Sequence, residues 1–167
     1  MSFVDPESFN AGMRCLAGGV AVVTTEDRGV KWGMTVTAVC SFTASPPTLL
    51  VCINRDAEAH DHIMASRKLG VSLLRGDQTK IAQVFSGAFG HKGDGRFEEV
   101  GWHQLSTGAP LLDDCVAVFD CEVMSWHECN THRAFICGVV DIGIDSGPSP
   151  LLYFNRGFAT LQTQMST

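Results

Sequence analysis

The sequence contains no apolar run of about 18 residues, so no segment is long enough to cross a bilayer as a helix. It is also short of positive charge. Twelve Lys and Arg stand against 18 Asp and Glu, for a formal charge of −6. The basic residues are scattered, whereas gripping a phosphate backbone needs them clustered, so a nucleic-acid partner is not expected. The seven cysteines include no Cys-x-x-Cys, which leaves neither a zinc ribbon nor a thioredoxin-type redox pair. They are odd in number and widely spaced. Cys40, Cys52, Cys115, Cys121 and Cys137 fall in strand-like apolar runs, where a reduced thiol acts as a small hydrophobe. The N-terminal residues Met-Ser-Phe-Val-Asp-Pro-Glu have neither a basic nor an apolar signal region, so a cytoplasmic location is expected. No G-x-G-x-x-G follows a strand and opens a helix, so a Rossmann dinucleotide site is not expected.

What is present is a globular composition, 45% hydrophobic over 167 residues, with no internal repeat or interdomain linker. One domain spanning 1–167 with one good core is expected. Asp5-Pro6-Glu7 reads as a helix start, a capping Asp followed by Pro at the first helical position. Phe9, Met13 and Leu16 then form one apolar stripe, ended by Gly18-Gly19. Strands are expected at Val20–Thr25, Val30–Phe42, Thr48–Ile53, Leu69–Leu74, Val116–Trp126, His132–Ile144 and Leu151–Phe154. A helix is expected from about Arg55 to Ser66, and a second one capped by Asp77 and ending near Phe85. Alternation at Val116, Val118, Asp120 and Glu122 predicts a hairpin with one wet face. Ser86 to Gly95 carries four glycines and reads as a mobile surface loop, and Ser146–Pro150 as a second loop. Many strands with a few short helices indicate a closed or nearly closed β-barrel.

Residues 30–54 organise the rest. Ser45-Pro46-Pro47 divides two strand-like runs, since Pro lacks a donor and fixes φ. Gly33 interrupts the first run and marks either a bulge or a place where a ligand nears the backbone. Thr35 and Thr37 would share a strand face, where hydroxyls beside exposed amides could hold a flat, polar-edged ligand. The other reading is an ordinary half-buried strand whose Thr residues serve β-propensity.

Gly33-Met34-Thr35-Val36-Thr37-Ala38, then Phe42-Thr43-Ala44-Ser45-Pro46-Pro47, resembles the flavin-reductase family of the split-barrel flavin-binding fold. The likeness continues in order from about Phe9 to Leu161, through Gly19-Val20-Ala21-Val22-Val23-Thr24-Thr25, Arg96-Phe97, His132 and Pro150-Leu151-Leu152-Tyr153-Phe154. It implies a mainly β, Greek-key-like split barrel with short peripheral helices. It also implies an enzyme that reduces FMN or FAD with NADH or NADPH. Reduced flavin would then go to a separate oxygenase component, and the barrels would pair as homodimers. The alternatives are a split barrel that holds FMN as an electron carrier, and a non-flavin barrel whose His127, Cys129 and His132 hold a metal.

The resemblance places the flavin along Gly33 to Ala38, with Cys52 nearby, and its phosphate at Asn54, Arg55 and Ala57. The residues agree at one point: free amides at a helix start favour phosphate, and Arg55 adds a matching charge. They depart at another. Ala57-Glu58-Ala59 stands where the family commonly has Ser-x-[ST], so hydroxyls are missing and an acid is added. Lys92 and Arg96, two cations on the glycine-rich loop, could close over an anionic cofactor, and Phe85 and Phe89 could cover a ring. Each has a plainer reading, as solvated loop or as core. His132, heading its strand, is implied to line the nicotinamide side of the flavin, although Asn130-Thr131 replace the family's Gly-Asp.

Overall fold

The computed structural model describes residues 2–145, 147 and 149–161. Strands dominate. Seven form one antiparallel sheet in the order β3 (Val30–Val36), β2 (Ala21–Asp27), β6 (Lys68–Leu73), β9 (Ala117–Cys129), β10 (His132–Ile144), β5 (Pro47–Asn54) and β4 (Val39–Ala44). The two edge strands, β3 and β4, are consecutive in the chain. Only Thr37 and Ala38 separate them, so the sheet must curl until its edges nearly meet. The barrel is split at that dipeptide.

A three-stranded sheet, β1 (Gly18–Gly19), β11 (Leu151–Phe154) and β12 (Gly157–Thr160), closes one end, and β7 (Trp102–Gln104) pairs with β8 (Pro110–Leu112). The helices are α1 (Pro6–Met13), α2 (Glu58–Ser66) and α3 (Thr79–Phe85). Helix α2 buries Ala59, His60 and Ile63, and α3 buries Ala82, Val84 and Phe85. Two cores result, one around Val23, Ile53, Ile63 and Phe135 and one around Val22, Leu74, Phe85 and Leu111. Strand β2 divides them. Its residues Ala21 to Thr25 are buried throughout, as expected of a strand covered on both faces.

Several expectations are corrected. The run Val30–Phe42 is two strands, because the chain changes sheet edge at Thr37-Ala38; Thr35 and Thr37 therefore do not share a strand face. Gly33 makes no bulge, since its register with Thr24 is unbroken. Asp77 does not cap α3; Gln78 holds the N-cap position without a side-chain bond, and Asp77 binds the Arg75 guanidinium at 2.7 Å. Asp120 is not on a wet face: it is fully buried, and its carboxylate accepts from the Thr107 amide at 2.6 Å and from the Thr107 hydroxyl. The stripe Phe9, Met13 and Leu16 is exposed, and α1 buries no residue. Cys40 is also exposed, and Cys115 precedes β9 rather than lying in a strand. Strands β1, β7, β8 and β12 lie outside the expected strands. The Ser146–Pro150 loop lies partly outside the described residues.

Asp5 does cap α1, accepting from the Ser8 amide at 2.9 Å, and β10 spans the expected residues.

Candidate active site at the barrel split

Residues 33–38 divide in two. Gly33 faces Phe85 of α3, and Met34, on the opposite strand face, packs half-buried against the first core. A Cβ on Gly33 would lie 2.7 Å from the Phe85 ring, so this glycine makes room for an aromatic and not for a ligand. Phe85 is buried and meets Phe97 edge-on at 5.0 Å, leaving no ring face for a cofactor. The Thr35 hydroxyl is spent on the Ala82 carbonyl at 2.6 Å. Thr37 and Ala38 differ. Neither amide donates to any group among the described residues. Two cavities open beside them. One, of about 360 Å³, is lined by Thr35, Val36, Thr37 and Arg156, and the other, of about 640 Å³, by Thr37, Ala38, Arg14 and Arg156.

A second group gathers across the sheet. The Cys52 amide donates to the Ala38 carbonyl at 3.0 Å, His132 stands opposite Asn54 in register, and the Arg55 amide donates to the Thr131 carbonyl at 2.9 Å. Ala38, Cys52, Asn54, Arg55 and His132 thus share one corner. The His132 ring is exposed, with Nδ1 2.9 Å from the Thr131 hydroxyl. The Cys52 thiol is pushed up by partial burial and then by neighbouring Cys40 and Cys129. Among the described residues no group of three or more His, Cys, Asp or Glu is placed to hold a metal.

The third group is the loop. Lys31 fastens it: its amide and ammonium reach the Asp94 carboxylate at 3.0 and 2.9 Å, and that ammonium holds the Asp94 carboxyl below its usual range. Arg96 fastens it again, donating to the carbonyls of His91 at 2.9 Å, of Gly33 and of Phe85 at 3.4 Å. Phe89 is exposed at the loop tip.

The expected phosphate cations are all engaged. Glu58 takes Lys92 at 3.1 Å through one oxygen and Arg96 at 3.3 Å through the other. Glu128 takes Arg55 at 3.4 Å and also pairs with Arg133. Ala57 heads α2 with no side-chain cap. The split therefore offers the polar edge of a flavin ring two donors that have no partner among the described residues, set between cavities. The phosphate end fits only in competition with Glu58 and Glu128.

Arg14, Tyr153, Arg156 and Phe158 also line these cavities, although no motif marks them. Asn155 and Arg156 form the two-residue turn between β11 and β12 with φ of 46° and 64°. Asn in such a turn is a usable signal; Arg is not. The largest of these openings, about 730 Å³, lies elsewhere, lined by Val39, Cys40, Leu49, Val139 and Ile142.

A split barrel of this kind is also the fold of solved flavin reductases. The chain belongs to that family: residues 13–162 match the flavin reductase like domain. It is 35% identical to the FMN reductase (NADH) RutF of Bradyrhizobium diazoefficiens, over 96% of this chain and 88% of the relative. Among solved structures it is similar to the flavin reductase PheA2, at 31% identity and a TM-score of 0.88, over 96% of this chain and 100% of that one. It is also similar to the styrene monooxygenase flavin reductase of Pseudomonas putida S12. There the identity is 28% and the TM-score 0.84, over 95% of this chain and 99% of that one.

Proposed function

We propose that this protein uses NADH to reduce FMN and releases the reduced flavin to a separate oxygenase. The observation that carries this is the pair of amides at Thr37 and Ala38, without a partner among the described residues and set between two cavities in a member of the flavin reductase family. FMN and NADH are the pair named for the RutF relative, and the oxygenase partner follows the styrene monooxygenase reductase. FAD and NADPH are the alternatives that kinetic comparison separates.

When bound, the flavin would supply the redox chemistry as hydride acceptor. This chain supplies position and electrostatics. The amides of Thr37 and Ala38 would hold the ring edge and favour negative charge accumulating there. His132, exposed at the corner beside Asn54, orients the nicotinamide. Lys92, Arg96 and Arg55 meet the flavin phosphate when Glu58 and Glu128 release them.

Two further parts of the reading have separate support. Phe42, Met124, Val140 and Ile142 are exposed on β4, β9 and β10, an apolar face that a second copy would cover in a homodimer. Seven free cysteines suit a reducing, cytoplasmic setting.

The seam is tested by Ala38→Pro, which deletes one donor, against Ala38→Gly, which keeps it. One neutral hydrogen bond is worth about 0.5–1.5 kcal/mol, so Ala38→Pro weakens FMN and riboflavin alike by roughly three- to tenfold. Equal flavin affinity in both folded variants contradicts the placement.

A further inference from the structure

The cations expected to meet phosphate are neutralised by Glu58 and Glu128, yet two arginines beside the split carry no ion pair among the described residues. They are Arg14, at the end of α1, and Arg156, in the β11–β12 turn. Both line the cavity of about 640 Å³, together with Asn10, Met13, Ala38 and Tyr153. The Asn155 amide donates to the Arg14 carbonyl at 3.1 Å, which ties the turn to the helix and holds both arginines on one opening. Among the described residues they are its only charged lining residues, in a protein whose net charge is −6. Arg156 sits at φ 64°, a conformation that disfavours any side chain, so a glycine would serve the turn better than this residue does.

From this we infer that the α1 cavity binds the pyrophosphate of the dinucleotide co-substrate. Two guanidinium groups match its two negative charges and can each donate a fork of hydrogen bonds. Met13 and Tyr153 offer apolar and aromatic wall for the adenine base. Ala38 belongs to both the cavity and the seam, so a dinucleotide anchored there reaches the flavin ring from the α1 side. The inference rests on the flavin reductase reading for the identity of the dinucleotide; the cavity and its charges stand without it.

The test is calorimetric titration with ADP-ribose, which keeps the pyrophosphate and lacks nicotinamide, on the wild type, Arg156→Gly and Arg14→Gln. Each variant loses tenfold or more in ADP-ribose affinity and gains as much in KM for NADH, while the Kd for FMN moves less than twofold. Arg156→Gly melts no lower than wild type, because glycine suits the turn, so its loss of affinity is not a folding defect. Unchanged ADP-ribose affinity in both variants overturns the inference. So does a loss of FAD affinity equal to that of ADP-ribose with KM for NADH unchanged, which assigns the cavity to the flavin dinucleotide instead. If the wild type binds ADP-ribose through these arginines but oxidises no NADH with any flavin, the reductase reading fails and the site stands.

Discussion

The Cβ atom that Gly33 lacks would lie 2.7 Å from Cε1 and 2.9 Å from Cδ1 of Phe85, closer than carbon atoms approach. The glycine at the centre of the flavin-reductase-like stretch is thus a packing residue, and Phe85 fills the space. Gly33→Ala forces the Phe85 ring aside and costs about 1–3 kcal/mol, the usual range for overpacking. Chemical denaturation measures it. Unchanged stability with lost flavin binding contradicts the packing account and returns Gly33 to the ligand.

Glu58 holds both loop cations and competes with a flavin phosphate for them. Glu58→Gln removes the competing charge. Charge-assisted contacts reach about 1.5–3 kcal/mol when shielded, and solvent around Lys92 and Glu58 reduces that, so FMN tightens by roughly three- to tenfold. Riboflavin, without a phosphate, changes less than about twofold. Fluorescence titration with both flavins separates the cases, and equal shifts for the two contradict a phosphate role for these cations.

His132 stands in the corner built by Ala38, Cys52 and Asn54, with its ring exposed. His132→Ala raises the KM for NADH by about tenfold, or 1.4 kcal/mol, and lowers turnover, because a loosened nicotinamide costs both affinity and alignment. Flavin affinity moves less than about threefold. A drop in melting temperature with wild-type kinetics of the folded protein makes His132 a hairpin-corner residue only.

Asp94 latches the loop to β3 through Lys31, and its carboxyl is held below its ordinary value of 3.8 chiefly by the Lys31 ammonium. The sign follows from a depressed folded pKa. The latch contributes fully above 3.8 and is lost as pH falls through the lowered value. Hydrogen-exchange protection of residues 88–96 is therefore constant from neutral pH down to roughly 5 and falls below about 4. Asp94→Asn abolishes that dependence. Protection that is constant into strong acid rules out the latch.

The β-rich split barrel was legible because alternation and turn chemistry are local signals. Strand β10 shows this with its long apolar alternation, and α1 with Asp5 and Pro6 at its start. The seam was not legible, since Thr37 and Ala38 have the same strand character as their neighbours and only sheet closure separates them. Burial of Asp120 was hidden because its partner, Thr107, comes from outside the alternating run. Ala38, Cys52, Asn54, Arg55 and His132 do converge, but the carboxylates that neutralise Arg55, Lys92 and Arg96 arrive from other elements. Arg14 and Arg156 gave no signal, because a lone Arg near a glycine is common on surfaces. Pairing across the fold decides which cation is available, and one-dimensional spacing does not carry it.

Flavin-dependent oxidation of NADH is measured directly with purified protein through the loss of reduced-nicotinamide absorbance. NADH consumption is negligible without added flavin, rises with FMN to saturation, and is accompanied by oxygen uptake as reduced flavin leaves the protein. No oxidation of NADH or NADPH with FMN, FAD or riboflavin would contradict the account. Flavin retained through gel filtration in such a protein would make it a carrier.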